Sequence, residues 1–272
     1  NVTSAQREAQ FTQYMYNTTT INPAYAGSRE AMSIFATHRN QWVGLDGAPV
    51  TNAVSIHSPI ELSNVGWGAS IINDKIGPMS ENSISADFSY TINTSDTYKL
   101  AFGLKGTANL LNVDFTKLDI YNPSDARFQE NIDNKFTPNI GAGVYWYSDV
   151  SYIGLSIPKM LDTSYYDKSA DNTAASFVVK ERMSYYLMAG YVYDLDYNLK
   201  FKPSILAKIS RGAPLQMDLS ANFFYDEIFT FGVAYRWSAA VSAMVGFQLT
   251  ETLMAGYSYD AETTKLANYN SG

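Results

Sequence analysis

The sequence predicts an all-β protein: a transmembrane, antiparallel, up-and-down β-barrel of about 14 strands, preceded by an irregular N-terminal segment. Three observations predict it. Segments of about ten residues alternate apolar with small or polar side chains, which is the length and period of a tilted strand crossing a bilayer. The apolar faces finish in aromatics, as at Tyr225, Tyr235, Trp237, Tyr257 and Tyr259, where interfacial girdles sit. No apolar face carries a charge at its centre, where Lys or Arg would cost roughly 2–4 kcal/mol in lipid.

Successive strand side chains point to opposite faces, so each alternating segment presents one apolar face and one small or polar face. From Ser83 to Ile92 the apolar set is Ile84, Ala86, Phe88, Tyr90 and Ile92, against Ser83, Ser85, Asp87, Ser89 and Thr91. The same period runs through Leu100–Asn109, Ile140–Tyr147, Leu187–Asp196, Phe201–Ser210, Leu215–Tyr225, Phe229–Trp237, Ala239–Leu249 and Leu253–Asp260. A soluble β-sandwich also alternates. The polar faces decide against it, because they are rich in Gly, Ser, Ala and Asn with only scattered charges at Lys105, Lys202, Lys208, Asp218 and Arg236. An exposed sheet surface would carry more Lys and Glu, whereas a lumen suits this set.

Composition agrees and excludes other classes. The 272 residues are 46% hydrophobic and 17% charged, with 21 Tyr, 14 Phe and 4 Trp, side chains suited to surfaces that are apolar at one end and wet at the other. A formal net charge of -7 and the absence of any basic run exclude nucleic acid as a partner. There is no cysteine, so disulfides, thiolate metal sites and cysteine nucleophiles are excluded. No stretch approaches the roughly 18–20 unbroken apolar residues of a spanning helix, and the chain opens without a basic and apolar leader, as expected where an export signal has been removed.

Short connections at Asn93–Thr97, Ser148–Val150, Asp194–Asn198, Asp226–Glu227 and Thr250–Glu251 alternate with longer ones at Val113–Asn134 and Lys159–Val178. Bacterial barrels keep short turns in the periplasm and longer loops outside, which places the N-terminus in the periplasm or folded into the lumen. Gly44–Pro49, Lys75–Ser80 and Arg211–Pro214 then lie on the outer rim. About thirteen strands are placed, from near Ala31 to Asp260, and a closed antiparallel barrel in one bacterial chain needs an even number. The expectation is a final strand missing from the given chain, since Ala261–Gly272 is polar.

The runs Phe11-Thr12-Gln13-Tyr14-Met15-Tyr16-Asn17 and Ile21-Asn22-Pro23-Ala24-Tyr25-Ala26-Gly27-Ser28 are followed by three more blocks. These are Arg39-Asn40-Gln41-Trp42-Val43-Gly44, Asp46-Gly47-Ala48-Pro49 and Ile72-Asn73-Asp74-Lys75-Ile76-Gly77-Pro78. In this order they resemble the PorP/SprF family, strongly over about the first 80 residues and by strand pattern thereafter. The resemblance implies a non-enzymatic outer-membrane barrel of the type IX secretion system of Bacteroidota, without a cofactor. It implies as partner the C-terminal domain of a secreted, gliding-adhesin-like surface protein. Further partners it implies are secretion-system components, a peptidoglycan-binding lipoprotein and outer-membrane lipid. An envelope anchor to the secretion motor ring and a diffusion channel are the alternative functions.

The chain divides into a plug or periplasmic strap over residues 1–30 and a barrel over 31–272. Asn22, Pro23, Tyr25 and Gly27 lie in a stretch with neither helical nor alternating period, where Pro and Gly enforce bends, and read as a strap across the barrel floor or a docking segment. Arg39, Asn40, Gln41, Trp42, Asp46, Pro49, Asn73, Asp74, Gly77 and Pro78 are the candidate partner-binding residues on the outer rim, with Trp42 expected in lipid headgroups. Asp46, Asn73 and Asp74 offer hard oxygens, but no loop spaces acidic ligands as a calcium loop does, so no metal is expected. His38 and His57, with Ser55 and Ser58, read as ordinary strand positions rather than a hydrolytic site, and no catalytic residue is assigned.

Overall fold

In the computed structural model, described over residues 13–117, 131–166, 179–181 and 183–264, the chain is strands almost throughout. A strap carrying one helical turn, α1 (Thr18–Ile21), and a 3-10 turn at Pro23–Tyr25 leads into β1 (Ser33–Asn40), β2 (Val50–Pro59), β3 (Val65–Ile76), β4 (Met79–Asn93) and β5 (Lys99–Val113). After a short 3-10 turn at Phe115–Lys117 come β6 (Ile132–Tyr147), β7 (Ser151–Ile157), β8 (Thr163–Tyr166), β9 (Val179–Glu181), β10 (Ser184–Tyr191) and β11 (Tyr193–Asp196). The last five are β12 (Leu199–Ser210), β13 (Gln216–Tyr225), β14 (Phe229–Arg236), β15 (Ala240–Gln248) and β16 (Met254–Glu262). β8 and β9 pair with each other inside the long connection between β7 and β10. Among the described residues no helix is long and apolar enough to cross a membrane.

All other strands form one 14-stranded antiparallel sheet. Its continuous path runs from β1 to β16 through thirteen strands, and β11 carries on the line of β10 beside β12. Because every neighbour is antiparallel and thirteen is odd, β1 and β16 run in the same direction. They remain unpaired with each other, so the sheet is not closed, and the residues beyond 264 lie outside the described set. The odd strand count expected from the sequence is also the count along this path among the described residues, and its two edges stand as an unclosed seam.

The alternation in sequence becomes alternation in exposure. Ile84, Phe88, Tyr90, Phe102, Leu104, Ile140, Phe231 and Val233 are exposed on the convex face, as lipid-facing positions must be. Ser85, Asp87, Ser89, Lys105, Asn109, Asp218 and Asn222 are buried on the concave face. Short turns at 60–64, 94–98, 148–150, 197–198, 226–228 and 249–253 gather at one end, the short-turn end, whereas the other, the loop end, carries the longer connection 41–49 together with tight turns at 77–78 and 237–239. At the Asp226–Glu227 turn both residues hold positive φ, of 51° and 57°, the twist of a two-residue hairpin.

At the loop end Ser238 holds φ at 54° inside the turn that Ala239 N–H closes on Arg236 C=O at 3.0 Å. A side chain is strained there, so Ser238→Gly is expected to raise stability by about 0.5–1 kcal/mol, read as a higher urea midpoint in lipid vesicles.

Candidate functional site

Two regions concentrate chemistry, one at each end of the sheet. At the short-turn end the strap lies inside the concave face. Tyr14, Met15, Ile21 and Ala24 pack there against Ala101, Tyr145, Tyr186, Met188, Leu206 and Met244, so the apolar core of the molecule sits between strap and wall. Each such side chain contributes up to about 1.5–3 kcal/mol.

The strap's polar groups are matched by the wall. Asn22, fully buried, accepts from Ala24 N–H at 3.0 Å and donates from Nδ2 to Val144 C=O at 3.0 Å. Pro23 follows as the first residue of the 3-10 turn, where a missing N–H costs nothing. Ser156 Oγ donates to Ile21 C=O at 2.9 Å, Ser89 Oγ to Ala26 C=O at 2.6 Å, and Ser55 Oγ to Asn17 Oδ1 at 2.7 Å. Gly27, at φ 75°, donates its N–H to His57 Nδ1 at 3.2 Å. Tyr14 Oη reaches Ser204 and Ser220 at 3.4 Å, and burial pushes its phenol above the ordinary range, so it stays neutral. Tyr25 stands edge-on to His57 and Tyr145, each at 5.4 Å.

This fit needs bare wall. A Cβ at Gly103 would lie 2.1 Å from Ala24 N, one at Gly66 2.3 Å from Ala26 O, and one at Gly143 2.1 Å from Asn22 Oδ1. The sequence marks these glycines, with Ser89 and Ser156, only by small size on the inward faces of β3–β7, and Ser55, which reads there as an ordinary strand position, holds Asn17 instead.

At the loop end a charged belt lines the concave face on both sides of the seam. Arg39, on β1, meets Asp260, on β16, at 2.5 Å, and Trp42 Nε1 donates to Glu262 Oε1 at 2.5 Å. Arg236 Nε donates to Asp218 Oδ1 at 2.7 Å, and Thr51 Oγ1 to Asp74 Oδ1 at 2.5 Å. Asp74, Asp218 and Arg236 all lie within the electrostatic surroundings of Arg39. Trp42 thus turns half-buried to the seam rather than to headgroups, with φ at 54°, because an indole N–H finds a carboxylate there. The Arg39–Asp260 clasp and the Trp42–Glu262 bond are side-chain bridges between two edges that share no backbone ladder. Asp260→Asn is expected to cost about 1–2 kcal/mol in vesicle unfolding, between the exposed and the buried limits for an ion pair.

The remaining rim residues form a connected surface. Asn40, exposed, closes β1 opposite Val50, and Gln41 N–H donates to Pro49 C=O at 3.0 Å. Asp46 is exposed at the tip of that loop, which Gly77 N–H ties to the β3–β4 hairpin by a 2.8 Å bond to Gly47 C=O. Pro78 C=O accepts from Asp114 N–H at 3.0 Å. Asn73 instead donates to Asn82 at 2.8 Å on the convex face, opposite to Asp74. Strand parity therefore separates the hard oxygens of Asn73 and Asp74. It separates the histidines too: His38 bonds Asn52 at 2.7 Å outside, while His57 is buried inside.

Among solved structures the chain is similar to the CymD monoaromatic hydrocarbon channel, with 11% identity over 89% of this chain and 87% of that one and a TM-score of 0.46. Two mutant forms of the Rh. blastica porin are similar at 11% and 12% identity, covering 85% and 87% of this chain and 94% and 96% of theirs, each with a TM-score of 0.32. No curated protein matches the sequence. The model of the Type IX secretion system membrane protein PorP/SprF family matches residues 3–272, essentially the whole chain. A 14-stranded antiparallel sheet with an apolar convex face and a match of that length leave one assignment: the chain belongs to the PorP/SprF family of type IX secretion system membrane proteins.

Proposed function

We propose that the protein is an outer-membrane barrel that serves a type IX secreted surface protein, binding that partner's C-terminal domain at the loop end for export and anchoring. The observation that carries this reading is the difference between the two ends. The strap fills the concave face at the short-turn end, whereas the loop end presents Arg39, Asn40, Gln41, Trp42, Asp46, Pro49, Asp74, Gly77 and Pro78 around a charged belt. With short turns in the periplasm, that end faces the cell exterior. A filled short-turn end speaks against a diffusion channel. The reading fits a family of secretion-system membrane proteins.

Deleting the gene is expected to strip at least one large secreted protein from the cell surface, and re-expression of the barrel to restore it. Surface proteomics in which every protein stays in place after deletion would sink the proposal.

A further inference from the structure

The protein carries a formal net charge of -7, yet at the short-turn mouth two cations share one aromatic array, and among the described residues neither is in an ion pair with a carboxylate. Arg29, exposed just before β1, donates from Nε to Tyr25 Oη at 3.0 Å. Tyr25 meets Tyr145 edge-on at 5.4 Å, and Tyr145 meets Tyr152 at 5.6 Å. Lys202, half-buried near the start of β12, holds its ammonium 5.5 Å over the Tyr152 ring. One aromatic array thus carries a guanidinium at one end and an ammonium at the other.

Neither cation is neutralised among the described residues. The carboxylate next in sequence to Arg29, Glu30, is engaged by Lys99. The charge that Lys202 senses is Arg29 itself, a like charge, and His57 senses Arg29 as well. His57 adds no third charge, since its Nδ1 accepts from Gly27 N–H and is therefore unprotonated. Tyrosine rings attract cations only weakly through their faces and supply no counter-charge. Two like charges on one array repel, and an oxyanion held by both would remove the repulsion while accepting their N–H groups. Arg29 gives Nε to Tyr25, and among the described residues its terminal nitrogens stay available for a forked contact.

We propose that Arg29 and Lys202, framed by Tyr25, Tyr145 and Tyr152, form an oxyanion site at the short-turn mouth that takes a phosphate or a carboxylate. Arg29 supplies the forked contact and Lys202 the point charge, and the tyrosine rings hold both in place. The ligand arrives from the short-turn side, because the strap fills the space on the other.

The test is titration of the full-length protein in detergent, at fixed ionic strength in chloride, with inorganic phosphate and separately with a glutamate-rich hexapeptide. Saturable binding of either probe is expected, at least about tenfold weaker in Arg29→Gln and in Lys202→Gln, the loss of one charge-assisted contact. Arg29→Lys, which keeps the charge but not the fork, should bind between wild type and Arg29→Gln. Binding of phosphate alone assigns the site to a free anion; binding of the peptide alone assigns it to a protein carboxylate. In chloride without probe, Lys202→Gln should be as stable as wild type or more so, because it relieves the repulsion. The proposal is overturned if neither probe binds, if both glutamine variants bind as wild type does, or if Lys202→Gln is destabilised without probe.

Discussion

Gly103→Val is expected to make a barrel that the strap occludes into a conducting one. The added side chain begins 2.1 Å from Ala24 N and 2.4 Å from Pro23 C, both strap backbone atoms that no rotamer change can move. The wall tolerates valine well, since β-branched residues suit a strand, so the strap is the element that yields. Once Ala24 is displaced, the neighbouring anchors at Asn22–Val144, Ser156–Ile21 and Ser89–Ala26 lose their geometry together. Gly106→Val is the control on the same strand, because a Cβ there meets nothing within 4 Å. Single-channel recording in a planar bilayer should show steady conductance for Gly103→Val and quiet traces for wild type and Gly106→Val. A folded, heat-modifiable Gly103→Val protein that stays quiet would mean that the strap does not occlude the lumen.

The second large effect is expected at the Asp87–Lys105 pair. The two residues face each other across β4 and β5, their charged atoms are 2.8 Å apart, and their side chains are 1% and 4% exposed. Removing one partner leaves a buried charge uncompensated, so Lys105→Met alone should cost about 3–5 kcal/mol. Lys105→Met with Asp87→Leu removes both charges and should return to within about 1 kcal/mol of wild type. Urea unfolding in lipid vesicles measures both. A nearly neutral single substitution would show that water reaches the pair and that this part of the lumen is wet.

The strands were legible wherever one face meets lipid and the other does not, because that contrast writes a period of two into the sequence. Phe201–Ser210 and Leu215–Tyr225 were read to within two residues of β12 and β13. β4, β5 and β6 run longer than their alternating cores, to Met79, Val113 and Ile132. The β4 extension carries Ser80, Glu81 and Asn82, polar on both faces, and the β5 extension carries Leu110 and Leu111, apolar on both, so no period of two marks either. The break between β10 and β11 at Val192 left no signal for the same reason of uniform character: Tyr191, Tyr193 and Leu195 keep the alternation across it.

The sites were less legible. Pro23 and Gly27 announce bends, but where the bends lead depends on Gly66, Gly103 and Gly143, whose only mark is small size on an inward face. The seam clasp joins Arg39 to a residue 221 positions away, and nothing local to either tells of the other. Trp42 looked like a headgroup anchor because its neighbours are rim residues, and the structure gives it to Glu262 instead.

If the barrel holds a secreted partner, a mild-detergent pull-down from native membranes with a tag on the barrel recovers one large secreted protein, or its C-terminal fragment, at near-equal amount by mass spectrometry. Recovery of the barrel alone, or with motor-ring or peptidoglycan-binding components alone, would contradict that reading.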